Sequence, residues 1–252
     1  MTYQQPAIVD ALDELRKAGM RELLIVPLFP QYASSSTGAA VQAAMTLIAR
    51  WNDIPPVSVL APFHAEEGYL RAFAENILAC TPARYDHVLF SFHGLPERHI
   101  HRSHTACADF LQRDLNTASI DGCACERGPY DAYPTCYKMQ CHATARALAE
   151  RAELRLGAWS VGFQSRLDRA WVKPFSDELV KAAPAKGIKR LLVVSPAFVA
   201  DCLETVIEIG EEYADLFKEH GGEKLTLVPS LNASPTWVEG LADLITRRVP
   251  VA

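Results

Sequence analysis

The chain has 252 residues, a net charge of −5 and an ordinary globular composition, 49% hydrophobic and 22% charged, enough for a large core in one domain or two smaller ones. Its basic residues are scattered rather than clustered, which argues against a nucleic-acid partner. No apolar run reaches the roughly 18 residues of a membrane span, and the first residues form neither a basic nor an apolar leader, so a cytoplasmic location is expected.

Short β-branched runs alternate with amphipathic stretches, the pattern of parallel βαβ units. The first residues lead directly into a helix expected over 6–18, with no strand before it. A strand over 22–28 follows, then a loop and a helix over 38–51. Next come a strand over 57–60, a helix over 68–79 and a strand over 87–92. Beyond a cysteine-rich stretch the pattern predicts a helix over 141–152, strands over 158–163 and 190–194, a helix over 201–219, a strand over 225–228 and a helix over 235–248. Segments 21–29 and 189–198 both run strand, proline, Phe, polar loop, helix. Any βα corner has this form, and so does a duplicated α/β domain with a cleft between its halves.

The run 87–92 ends in His93-Gly94-Leu95-Pro96. Gly94 permits backbone angles closed to other residues and Pro96 fixes its own φ, so His93 is held at a strand's carboxyl end. Ligands bind at that edge in open α/β sheets, although a lone imidazole there also suits a structural role. Asp201, Glu204, Glu208, Glu211 and Asp215 fall at helical spacing and form one acidic stripe. The stripe is either a solvated face opposite Leu203, Ile207, Ala214 and Phe217, or a set of carboxylates whose first members face the same cleft as His93. Imidazole opposite carboxylate can hold a divalent ion or move protons. No G-x-S-x-G elbow and no Gly-rich phosphate loop is present.

Ser34, Ser35, Ser36 and Thr37 follow the first expected strand; they serve either as a helix-capping loop or as the lining of a site for carbonyl or carboxylate groups. Of the seven cysteines, those from Cys107 to Cys141 space as C-x15-C-x-C-x10-C-x4-C. Such crowding in a cytosolic chain favours a metal over disulfides, and four thiolates match tetrahedral zinc or a [2Fe-2S] centre equally.

The blocks Pro30-Gln31-Tyr32 through Ser36-Thr37-Gly38, Ser91-Phe92-His93-Gly94-Leu95-Pro96, Phe163-Gln164-Ser165-Arg166, Trp171-x-x-Pro174, and Pro196 through Asp201, Glu204, Glu208 and Ile209, closed by Leu231-Asn232-Ala233-Ser234-Pro235, together resemble the ferrochelatases almost end to end. The resemblance implies an α/β fold of two similar open parallel-sheet Rossmann-like lobes with a cleft between them, the first lobe incomplete. Residues 1–85 are the remainder of the N-terminal lobe, with a C-terminal helix 235–250 packing back on it; residues 86–234 are the second lobe, with a cysteine-rich insertion at 100–137. It implies an enzyme that inserts ferrous iron, its substrate, into protoporphyrin or coproporphyrin for haem synthesis, clamping the ring out of plane. His93 and Glu204 would share metal contact and pyrrole deprotonation, and Glu208 would pass protons or metal onward. Tyr3, Ser34, Ser35, Ser36, Thr37, Gln164, Ser165, Arg166 and Trp171 would line the porphyrin. Cys107, Cys123, Cys125 and Cys136 resemble the ligands of a bacterial [2Fe-2S] insertion, zinc being the alternative, and peripheral membrane contact is a further implied partner. Residues 1–6 align with a mid-domain family segment, so a first strand and porphyrin-contacting lip are expected to be absent, through a late start codon or fragmentation, and Thr2 stands where arginine is usual. Asp168 stands near a missing family glycine. Two rival readings are an inactive porphyrin- or haem-binding remnant and a zinc-stabilised α/β binding protein.

Overall fold

A computed structural model describes residues 5–103 and 136–247. Its larger sheet is formed by β3 (His87–His93), β4 (Trp159–Gln164), β5 (Arg190–Val194) and β6 (Lys224–Leu227), ordered β4-β3-β5-β6 with every pairing parallel. A parallel strand covered on both faces needs apolar side chains in both directions, and β3 supplies them. Val88, Phe90 and Phe92 point into the main core while Leu89 points into a second cluster with Leu191, Val193, Ile209 and Phe217. β5 alternates likewise, Leu192 and Val194 entering the first core and Leu191 and Val193 the second. The result is an α/β/α sandwich.

The smaller sheet pairs β1 (Leu23–Ile25) in parallel with β2 (Val57–Val59). Leu12, Leu23 and Ile48 form its core, between α1 (Ile8–Lys17) and α2 (Ala39–Ile48). The helix α3 (Glu67–Ala79) contributes Tyr69, Leu70, Phe73 and Ile77 to the main core, which it shares with β3. A short α4 (Glu97–Ser103) follows β3, and α5 (Tyr137–Arg151) precedes β4. After β4 comes α6 (Ser176–Ala182). Two short helices, α7 (Leu203–Val206) and α8 (Tyr213–Glu219), flank a π-helical turn at Glu208–Glu212. The last described helix, α9 (Pro235–Thr246), crosses α3 where Gly68 and Gly240 meet: a Cβ on Gly240 would lie 2.7 Å from the Gly68 Cα. Trp237 seals this crossing by stacking on Phe63 at 5.6 Å.

All the expected strands form, but β1 and β2 are three residues each. Three expectations change. The helix expected over 38–51 is preceded by a π-helical turn at Ser34–Gly38. The helix expected over 201–219 is not continuous: Cys202 is extended, α7 runs four residues, and the π-helical turn shifts the register of α8, so the acidic stripe is not one face. α5 begins at Tyr137 rather than 141, because Tyr137, Lys138, Met139, Gln140, Cys141 and His142 are all buried and a helix buried all round has no amphipathic period to read.

Candidate active site

β3 carries His93 to the carboxyl edge of the larger sheet, half-buried, with its ring 6.4 Å from that of Trp171 and 6.2 Å from that of Phe198. Its Nδ1 lies 2.6 Å from the Gly94 carbonyl oxygen. A carbonyl only accepts, so Nδ1 carries the proton and Nε2 of the neutral ring keeps its lone pair. The Tyr137 hydroxyl donates to the His93 carbonyl at 2.7 Å and the Gly94 N–H to the Gln164 carbonyl at 2.7 Å. Gly94 is required by space rather than by a positive φ: a Cβ there would sit 2.7 Å from the Gln164 oxygen and 3.1 Å from Trp171.

β4 pairs Gln164 with His93 in register. Ser165 follows at φ 57, a left-handed conformation that turns the chain and aims its N–H at Glu208. The Glu208 carboxylate accepts from the Ser165 N–H at 2.8 Å, the Ser165 hydroxyl at 2.5 Å, the Tyr213 hydroxyl at 3.0 Å and the Gln164 amide at 3.3 Å. Burial, with Glu208 beside it, pushes the Tyr213 hydroxyl well above the ordinary tyrosine range, which keeps it a donor.

Glu204 lies in the first turn of α7, half-buried, and its main-chain carbonyl accepts from Gln164 Nε2 at 2.8 Å. Burial raises the neighbouring Cys202 thiol, and the Glu204 carboxylate adds to the effect. Asp201 stands outside the helix. Its N–H donates to Asn232 Oδ1 at 3.0 Å while Asn232 Nδ2 donates to Asp201 Oδ2 at 2.8 Å, a reciprocal clasp. Partial burial alone would raise this carboxyl, but the bonds from Asn232 and Ser230 outweigh it and hold it below the usual range.

The edge thus gathers His93, Trp171, Gln164, Ser165, Glu204 and Glu208. The remaining expected porphyrin contacts divide. Ser34 and Ser35 are exposed, Ser36 is half-buried, and Thr37 is 6% exposed, its hydroxyl without a partner among the described residues. None of the four caps a helix through its side chain; they form the π-helical turn instead, and Thr37 faces inward. Gln164 is 1% exposed with both amide atoms engaged inside the protein, so its side chain is no surface for a porphyrin. Arg166 is held against Asp177 at 2.9 and 3.2 Å, with its guanidinium 4.1 Å from the centre of the Phe175 ring. Tyr32, Ala33 and Ser34 meet Leu95, His99, Ile100 and Tyr137 around a small pocket. Sequence reading missed Tyr137, Tyr213 and Ser195, whose hydroxyls hold the site's backbone and carboxylate; isolated hydroxyls at element ends carry no spacing signal.

Tyr3, Cys107, Cys123 and Cys125 lie outside the described residues. Cys136 is buried and directly precedes α5. Among the described residues no group of three or more His, Cys, Asp or Glu side chains gathers as a resident metal requires, and no helix is long and apolar enough to cross a membrane.

The Ferrochelatase family model matches residues 1–249. A protein named ferrochelatase from Pseudomonas syringae pv. syringae (strain B728a) is 40% identical over 248 residues, covering 98% of this chain and 70% of that protein. One from Pseudomonas paraeruginosa (strain DSM 24068 / PA7) is 43% identical over 249 residues, with the same coverage. Among solved structures, SirB from Bacillus subtilis with Fe3+ superposes with a TM-score of 0.60 at 13% identity, over 97% of this chain and 78% of that one. CbiX, described as the terminal enzyme for biosynthesis of sirohaem in denitrifying bacteria, gives a TM-score of 0.54 at 13% identity, over 98% and 81%. These two likenesses concern the fold alone, an α/β architecture.

Proposed function

The chain belongs to the ferrochelatase family, and from that premise we propose that the carboxyl edge of its larger sheet is where ferrous iron enters a porphyrin, with His93 and Glu204 on the metal side. The reaction takes a free-base porphyrin and Fe2+ to the iron porphyrin and two protons, in the service of haem synthesis. Iron must shed water and two pyrrole N–H groups must lose protons, so the site needs a neutral base and a weak anionic ligand rather than a tight cage. The observation that carries the reading is the His93 tautomer: Nδ1 is committed to the Gly94 carbonyl, which leaves Nε2 to accept a pyrrole proton or touch the metal. Glu204, delivered by the neighbouring β5 through α7, supplies the carboxylate. Two such groups, with no third ligand gathered beside them among the described residues, suit a metal in transit, which must leave with the product.

Ser34, Ser35 and Trp171 are the side chains best exposed to touch the ring, with Ser165 at its edge and Tyr3 completing the set. Glu208, bonded by four donors, anchors the turn below the site. Cys136 at the base of the cysteine-rich stretch would hold one arm of a [2Fe-2S] centre completed by Cys107, Cys123 and Cys125, zinc being the alternative occupant; a bound cluster would supply redox-active iron, and no step of the insertion depends on it. Residues 1–85 as one lobe and 86–234 as the other, a cytoplasmic setting and peripheral contact with a membrane belong to the same reading. The test is anaerobic turnover of Fe2+ with protoporphyrin and with coproporphyrin, followed by the change in the porphyrin's visible spectrum. Metallation of either supports the reading; tight porphyrin binding without metallation would make the chain a binding remnant.

A further inference from the structure

Gln164 ends β4 beside His93 in register, yet it is 1% exposed. Its amide is saturated. Oε1 accepts from the Ser91 hydroxyl at 2.9 Å and the Ser195 hydroxyl at 3.1 Å, while Nε2 donates to the Glu204 carbonyl at 2.8 Å and to Glu208 Oε2 at 3.3 Å. The two ends of the amide cannot be exchanged. A carbonyl and a carboxylate can only accept and therefore need the N–H groups, whereas the serine hydroxyls can donate to the oxygen. Ser91 lies on β3 and Ser195 directly follows β5, so one side chain joins three adjacent strand ends to both acidic residues. The two atoms it holds on the far side straddle the change from α7 to the π-helical turn at Glu208–Glu212. The regular helical hydrogen-bond ladder is interrupted there, so the backbone needs an outside partner to fix its course.

We infer that Gln164 is the positioning residue of the metal site: its amide locks the Glu204 carbonyl and the Glu208 carboxylate relative to His93 and thereby sets where the Glu204 side chain is presented. The inference rests on the reading of His93 and Glu204 as the metal-side pair. Buried from the cleft, Gln164 governs the metallation step and leaves porphyrin binding untouched.

The test is the split between kcat and KM in the full chain. Gln164→Leu, similar in volume but without polar atoms, is expected to lower kcat for ferrous insertion by about tenfold or more while KM for the porphyrin stays within about twofold. Gln164→Glu can donate only when protonated, and its carboxylate would face Glu208, so its kcat should recover as pH falls relative to the wild-type profile. His93→Ala is assayed in parallel. Turnover lost in His93→Ala but kept in folded Gln164→Leu overturns the inference and leaves the pair standing; turnover kept in His93→Ala overturns both. Should Gln164→Leu fail to fold by circular dichroism, the double variant Ser91→Ala/Ser195→Ala, which removes both hydroxyls bonded to Oε1, reads the same split. A raised KM with kcat unchanged also overturns the proposal.

Discussion

At the scale of single residues, the site is built from hydrogen-bond commitments rather than unusual residues. His93 has one nitrogen assigned by a carbonyl it cannot avoid, and Glu208 is surrounded by donors. Glu208→Gln therefore has a definite expected cost. Its amide group would set an N–H against a Ser165 or Tyr213 donor, losing about 1–3 kcal/mol of stability, seen as a lower Tm with the variant still folded at 25 °C. An unchanged Tm would show that the donors move away freely. The position of His93 at a strand end was legible because an apolar run ended in histidine and glycine. The reason for Gly94 was not: the residue that crowds it is Gln164, far along the chain, and no local pattern reports an approach between strands. Gln164 shows the same limit. As a polar residue at a strand end it reads as a ligand contact, and only the packed sheet shows that it points inward.

At the scale of elements, strands were easier to read than helices. β3 and β5 are continuous apolar runs because both faces are covered, and such runs declare themselves. The acidic helix was misread because a π-helical turn inserts without changing residue types, so spacing alone implies a continuous stripe. The clasp between Asp201 and Asn232 holds the start of that segment outside the helix, and Cys202 is extended. The crossing of α9 over α3 was not legible either, since Gly68 and Gly240 gain meaning only when they meet. Gly240→Ala should force these helices apart, costing about 1–3 kcal/mol by overpacking; denaturant unfolding measures it.

At the scale of the whole molecule, a polar seam of Gln31, Thr144, Tyr69 and the Pro196 carbonyl joins the segment after β1 to α3, α5 and the end of β5. Two histidines lie near this seam in sequence. Burial, partly opposed by Glu66, lowers His64 to about 4; burial, reinforced by Lys138 and Arg146, lowers His142 to about 3. Both remain neutral when folded, whereas the unfolded chain takes up protons below about 6.5. Stability is therefore full above about pH 6.5 and falls as pH drops from there toward 4, by up to about 1.4 kcal/mol per pH unit for each histidine. His142→Leu should flatten that decline in a Tm series from pH 7 to pH 5, and an unaltered slope would remove His142 from the account. The α/β fold brings His93 and the Glu204 segment to one sheet edge, and the proposed chemistry rests on that one imidazole and one carboxylate. The most direct measurement is anaerobic ferrous insertion into protoporphyrin by wild type and His93→Ala, with porphyrin affinity and Tm measured on the same samples. We expect turnover to fall by about 10²-fold or more while affinity and Tm are retained; near wild-type turnover in His93→Ala would contradict the assignment.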